Sequence, residues 1–257
     1  MTIRTPSVVA LHASASSARQ WQPLAAALAP RLRVHAVDLH GHGERSPWRG
    51  ARALSLADEA ALVAPVLARE GDVHLVGHSY GGAVALKVAS LYPQHVRSVT
   101  VYEPVMFRWL VAAQATEVAD VLGVVDTIRH HLAFGSAFDA ARAFIDFWSG
   151  EGAWQSMAVS RRESVAARMR AVASHFEALL LEPLTLREVA RLCVPTIVLT
   201  GARTVRVMHR LAELVRGASR ARHREVADAG HMGPITHADA VNREILAFVG
   251  NCARMAA

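Results

Sequence analysis

Lysine is almost absent. All but one of the 28 basic residues are arginine, and Lys87 stands alone. The arginines are scattered along helical faces, and the longest basic patch is Arg220–Arg224. A formal net charge of +6 spread this way reads as ordinary surface, not a nucleic-acid site. Cysteine is nearly as scarce. Cys193 and Cys252 are the only two, and neither has a C-x-x-C neighbour, which excludes the common metal and redox motifs. A disulfide has nothing to support it, and a reduced, cytoplasmic protein is expected. No apolar run approaches the ~18 residues needed to span a bilayer. The early apolar stretch Val8–Leu11 is interrupted by His12, too soon for a secretory signal. There is no phosphate loop, dinucleotide fingerprint or metal cluster, so no cofactor is expected. Internal repeats and low-complexity tracts are also missing. One local absence matters more than these: from Val189 to Ala212 there is no Asp or Glu.

What is present is an alternation. With 257 residues, 52% of them hydrophobic, the chain can bury one large core. Val8–His12, Val34–Asp38, Val73–Gly77, Val96–Glu103, Thr196–Gly201 and Ala221–Val226 read as strands. Several are Val-rich without polar alternation, as in strands covered on both faces. Helical periodicity marks Trp21–Ala29, Leu56–Glu70, Ala83–Leu91, Val207–Val215 and Ala238–Val249. The pattern predicts an α/β fold with a mostly parallel sheet of about six strands flanked by helices. Phe107–Leu184 breaks the rhythm, with helical spacing and no convincing strand. Within it, Asp139–Trp148 reads as a helix between a Ser136–Asp139 start and a Ser149–Gly150 stop. The expected organisation is a core of residues 1–106 and 185–257, with 107–184 inserted after the Glu103 strand as a helical lid and not as an independent domain.

The chemistry is concentrated in Val73–Leu86, VHLVGHSYGGAVAL. A strand runs into Gly77-His78-Ser79-Tyr80-Gly81, and a helix follows from about Gly82. This is G-x-S-x-G in a strand–turn–helix setting. Such a turn strains the backbone at Ser79 and lifts its hydroxyl from the sheet. Crowding explains the flanking glycines, and the helix N-terminus favours developing negative charge.

With these residues the chain resembles the α/β-hydrolase superfamily over almost its whole length. LHASASS at Leu11–Ser17 stands where the family has His-Gly-x. DLHGHGERS at Asp38–Ser46 matches Asp-x-x-Gly-His-Gly-x-Ser, and AGHMGP at Ala229–Pro234 matches the Gly-His turn after the last strand. The resemblance implies Ser79 as nucleophile and His231 as general base. It also implies an oxyanion site made by the backbone N–H groups of Tyr80 and Ser14. Ala13 replaces the usual glycine before Ser14. His12, His42 and His78 are read as shaping loops, and adjacent His130 and His131 cannot share a helical face. Seven residues precede the first strand, so the family's opening hairpin is expected to be missing or truncated.

The carboxylate is the departure. Most family members place it about three residues past the glycine corresponding to Gly201, where this chain has Thr204. Some lipases of the family place it one strand earlier, which here offers Glu103. Glu103 could instead cap a helix opened by Pro104. Asp228, Asp120 and Asp126 are alternative donors of charge, and a serine–histidine dyad without a carboxylate also remains open.

Six of seven Phe and three of five Trp lie between Phe107 and Leu184. They are divided here between helix packing and the roof of an apolar pocket. The expected function is a serine hydrolase of carboxylesterase type, cleaving a small, fairly apolar ester or related carbonyl compound. Carbon–carbon bond hydrolysis would use the same residues. A non-catalytic small-ligand sensor on the same fold is the alternative from another class, favoured by Thr204. The expected partner is a small-molecule substrate, without nucleic acid or a membrane span, and oligomeric state is left open.

Overall fold

The computed structural model describes residues 7–29 and 31–255. The parts of the expected core that fall on 1–6, Pro30 and 256–257 lie outside the described residues, as does anything preceding the first strand. Six strands form one sheet in the order β2-β1-β3-β4-β5-β6. They are β1 Ser7–Leu11, β2 Arg33–Val37, β3 Val73–His78, β4 Val96–Tyr102, β5 Thr196–Gly201 and β6 Arg222–Val226. Every neighbouring pair is parallel. β1 and β3 are buried throughout, while the edge strands β2 and β6 are largely exposed or half-buried. That contrast explains why the central strands read as unbroken apolar runs.

Alternate residues of β1 serve opposite faces of the sheet. Val8 and Ala10 pack with α1 (Gln22–Leu28) and, through Val241 and Ile245, with the C-terminal helix. Val9 and Leu11 face the other layer. That layer holds α2 (Leu56–Ala61), α3 (Ala64–Glu70) and α4 (Tyr80–Leu91). The Leu56–Glu70 periodicity is thus two helices instead of one. Pro65 has no N–H to offer Ala61, which ends the α2 ladder, and it stands in the first turn of α3, where that N–H is not needed. The chain turns through tight bonds from Leu62 N to Glu59 O and from Val63 N to Ala60 O.

Six helices separate β4 from β5 among the described residues: α5 Phe107–Ala112, α6 Val118–Ala133, α7 Ala137–Ser149, α8 Val159–Ala166, α9 Met169–Leu181 and α10 Leu186–Ala190. After β5 comes α11 Arg206–Ala218, and after β6 come α12 Gly233–Thr236 and α13 Ala238–Met255. The single lysine has a structural place. Lys87 Nζ, on α4, donates to Glu182 Oε1 at 2.7 Å, just beyond α9. Trp109 Nε1 donates to Leu184 O at 2.8 Å. The first bond ties the end of the segment 107–184 to α4, and the second joins its last residue to α5, where it begins. Cys193 is exposed, Cys252 half-buried, and both are free. No helix among the described residues is long and apolar enough to cross a membrane.

The β3–α4 turn is pressed against its neighbours. A Cβ on Gly81 would stand 2.3 Å from Leu11 O and 2.5 Å from His12 O, and one on Gly77 would stand 2.3 Å from Gly81 O. All three obstacles are backbone, so little can give way. Gly81→Ala is therefore expected to lower unfolding free energy by at least ~2 kcal/mol. Urea denaturation monitored by circular dichroism measures this, and an unchanged midpoint would contradict the crowding argument.

Candidate active site

Parallel strands of an open α/β sheet deliver their following loops to one edge. Ser79 follows β3, Glu103 follows β4, Thr204 lies beyond β5, His231 beyond β6, and Ser14 beyond β1. Ser79 has φ 55° and ψ −117°, a conformation that costs a non-glycine residue about 1–3 kcal/mol. It is held there by its N–H donating to Tyr102 O at 2.9 Å. Helix α4 begins at the next residue, Tyr80, two residues earlier than its sequence pattern indicates.

Ser79 Oγ lies 2.9 Å from His231 Nε2, and His231 Nδ1 lies 2.7 Å from Glu103 Oε2. A carboxylate only accepts, so Nδ1 carries the proton and Nε2 is free to accept from the serine hydroxyl. Ser79 is 5% exposed, Glu103 and His231 2% each. Among the described residues no lysine or arginine is bonded to Glu103. Three donors satisfy it: Gly201 N–H at 2.7 Å to Oε1, and Thr204 Oγ1 at 2.7 Å together with His231 to Oε2. Glu103 does not cap a helix at Pro104, because α5 begins only at Phe107. It sits at φ 47°, a left-handed turn that directs the chain out of β4. Asp228 pairs with Arg203, while Asp120 and Asp126 are exposed on α6; none of the three is bonded to His231.

The turn carrying His231 is fixed from below. His78 Nε2 donates to His231 O at 2.8 Å, and Tyr102 Oη donates to Gly230 O at 2.7 Å. The loop after β1 is fixed from its sides. Ala13 N–H donates to Gln20 Oε1 at 3.2 Å and Ala15 N–H to His42 Nε2 at 2.9 Å. Between them, the N–H of Ser14 donates to no group among the described residues, and neither does that of Tyr80. For Tyr80 this is the ordinary state of a first helical residue.

Buried imidazoles support these loops. His12 accepts from Leu39 N–H at 3.1 Å and donates to Ala13 O at 2.7 Å. His42 donates to His40 O. His78 accepts from Gln20 Nε2 at 3.0 Å. Burial holds His12 down to about 3 and His42 to about 4, and it drives His78 and His175 well below the usual imidazole range. In each, one nitrogen donates and the other accepts, which a protonated ring could not do. Burial acts in the opposite sense on Glu59, raising it to about 7.

Above Ser79, Trp148 of α7 stacks on the His231 ring at 4.0 Å and 21°. With Phe144, Met157 and Val165 it closes a cavity of about 30 Å³ over Ser79 and His231, space for a water or two. Other aromatic residues of the insertion do different work. Phe107 and Phe176 stack within the core, whereas Phe134 and Phe138 are exposed at 78% and 52%. A larger cavity, about 500 Å³ beside α10 and β5, contains neither Ser79 nor His231, so size alone points away from this cluster.

A sequence model described as "Alpha/beta hydrolase family" matches residues 8–244. The chain belongs to the alpha/beta hydrolase family. Lipase LipV of Mycobacterium tuberculosis is 35% identical over 117 residues, covering 45% of this chain and 42% of its own length. The pimeloyl-[acyl-carrier protein] methyl ester esterase of Aeromonas hydrophila is 40% identical over 93 residues, covering 36% and 35%. The matched region thus spans less than half of these curated relatives. The enol-lactonase from Burkholderia xenovorans LB400 superimposes over 96% of this chain and 92% of its own, with a TM-score of 0.77 and 19% identity. That likeness is one of fold.

Tyr102, Gln20, Trp148, Glu59 and His175 surround this candidate site but carry no local sequence signal. Tyr102 adjoins Glu103, yet only the folded turn shows its hydroxyl reaching Gly230. The buried imidazoles do carry a measurable consequence. Groups depressed in the folded state below the ordinary value of 6.5 must take up protons on unfolding at lower pH. Their stabilisation is complete above about pH 6.5 and is lost as pH falls below it, by up to ~1.4 kcal/mol per group per pH unit. Glu59 has the opposite sign and offsets one such group. The urea midpoint is expected to drop steeply from pH 7 to pH 5, and a level profile would contradict neutral burial of these rings.

Proposed function

We propose that this hydrolase is a serine carboxylesterase acting on a small, fairly apolar ester or related carbonyl compound. The observation that carries the proposal is the continuous Ser79–His231–Glu103 chain, with contacts of 2.9 and 2.7 Å. His231 Nε2 takes the Ser79 proton as Oγ bonds to the substrate carbonyl carbon. The negative charge moves onto the carbonyl oxygen, where the unpaired N–H groups of Ser14 and Tyr80 receive it. Collapse expels the alkoxide, which leaves as the alcohol with the proton returned by His231. Water then attacks the acyl carbon with His231 again as base, the bond to Ser79 Oγ breaks, His231 returns the proton to Oγ, and the carboxylic acid departs. Glu103 holds the imidazole tautomer and stabilises the imidazolium. This sequence needs only these side chains and backbone groups.

Thr204, the feature that favoured a non-catalytic binder, donates its hydroxyl to Glu103 and so belongs to the carboxylate's support. The names of LipV and of the methyl ester esterase accord with ester cleavage. The cavity of about 30 Å³ is too small for an acyl chain, so the segment 107–184 is proposed to act as a lid that opens for substrate. The two free thiols accord with a reducing, cytoplasmic setting.

A fluorophosphonate is expected to label Ser79 in the wild type and to leave Ser79→Ala unlabelled. Full ester turnover by Ser79→Ala would sink the proposal. Glu103→Gln is expected to fold normally and lose ~10²-fold or more in kcat, measured with p-nitrophenyl butyrate. Truncating the cavity roof with Trp148→Ala should move the preferred p-nitrophenyl ester toward longer chains, with the gain in KM. An identical chain-length profile would remove Trp148 from the acyl pocket.

A further inference from the structure

One side chain of the inserted helices passes below the cavity roof and reaches the sheet edge. His175 of α9 is 1% exposed. Its ring lies flat on the ring of Tyr80, with centroids 3.7 Å apart at 8°, and His42 stacks on it at 4.7 Å. Nδ1 is 2.8 Å from Ser14 Oγ, while Nε2 faces His40 O at 3.3 Å and Glu59 Oε1 at 3.6 Å. Carbonyl and carboxylate oxygens accept, so Nε2 bears the proton and Nδ1 accepts from the Ser14 hydroxyl. The enclosure closes on itself: Tyr80 Oη donates to Glu59 Oε1 at 3.2 Å, and His40 N–H donates to Glu59 Oε2 at 3.1 Å.

We infer that His175 is a positioning residue for oxyanion stabilisation, fixing from the insertion the two residues, Ser14 and Tyr80, whose N–H groups meet the developing charge. The inference rests on the esterase reading of Ser79. Ala13 and Ala15 are tied to Gln20 and His42, which anchors the residues on both sides of Ser14. The bond from Ser14 Oγ to His175 anchors the residue between them. On the other side, the stack holds the Tyr80 ring and with it the first turn of α4. Hydrogen bonds weaken steeply with misalignment, and oxyanion donors act through preorganisation. The donors are therefore fully aligned only while α9 is docked, so the opening that admits substrate moves the roof carrying Trp148 and Val165 and leaves α9 in place. A polar group that merely filled the core would affect stability and leave the kcat-to-KM balance alone.

The test is a double-mutant cycle in the full chain with p-nitrophenyl butyrate as substrate and an alkyl trifluoromethyl ketone as transition-state analogue. His175→Phe keeps a ring against Tyr80 and loses the bond to Ser14; Ser14→Ala removes the same bond from the other side. Each is expected to lower kcat ~10–100-fold, less than loss of a whole oxyanion donor, with KM within about threefold and ketone affinity falling in proportion. The double variant should be no worse than the poorer single one. His175→Asn, whose Oδ1 can replace Nδ1 as acceptor, should keep kcat within about fivefold. Unchanged kcat in folded His175→Phe, multiplicative losses in the double variant, or a folded but inactive His175→Asn would each overturn the inference. Should His175→Phe fail to fold, Ser14→Ala decides: reduced kcat at an unchanged thermal midpoint upholds it, and unchanged kcat overturns it. A wild type with no ester turnover and no Ser79 adduct would overturn the esterase reading and this inference together.

Discussion

The arrangement depends on a carboxylate to which, among the described residues, no lysine or arginine is bonded. Glu103 is buried at the end of β4 and is stabilised by one backbone N–H, one threonine hydroxyl and one imidazole N–H. A buried charge left with empty acceptor sites would be prohibitively unfavourable. Each of the three donors comes from a different point beyond β4: Gly201 ends β5, Thr204 follows it, and His231 follows β6. The carboxylate can therefore be accommodated only when the β4, β5 and β6 ends are correctly aligned, and the same alignment brings His231 to Ser79. Satisfying a polar group and assembling the cluster are the same structural requirement.

Much of this was legible in the chain. The six strands appear at nearly their predicted limits because the central four are buried on both faces and so read as apolar runs. The Ser79 turn was visible because its glycines are imposed by backbone crowding, a local cause with a local signature. His231 came from a motif. Glu103 was harder: it was one of several open choices, reached through the absence of an acid near Thr204. What decides for it spatially is strand order, since β4 sits between β3 and β5 and places Glu103 within reach of the His231 loop. Leu56–Glu70 keeps one apolar spacing across two helices, so its periodicity conceals the break before Pro65.

The less legible part is whatever depends on the packing of α5–α9 against the sheet edge. His175 is one of 14 histidines, separated by 161 residues from the serine it touches. Trp148 could as well have been core, and only the fold puts it over His231. Phe134 and Phe138 show the converse, aromatic residues of the same segment that face outward. Helical spacing reports which side of a helix is apolar, but not which helix it meets.

Backbone conformation at the sheet edge has its own consequence. Ala15, Ser79, Glu103 and Asp228 all adopt positive φ without being glycine, and they follow β1, β3, β4 and β6 in turn. Conformational energy is thus stored along the rim where these strands end. Such conformations persist only while the packing around them enforces them. The rim should loosen before the sheet does, so competence would fade at temperatures where most secondary structure still survives.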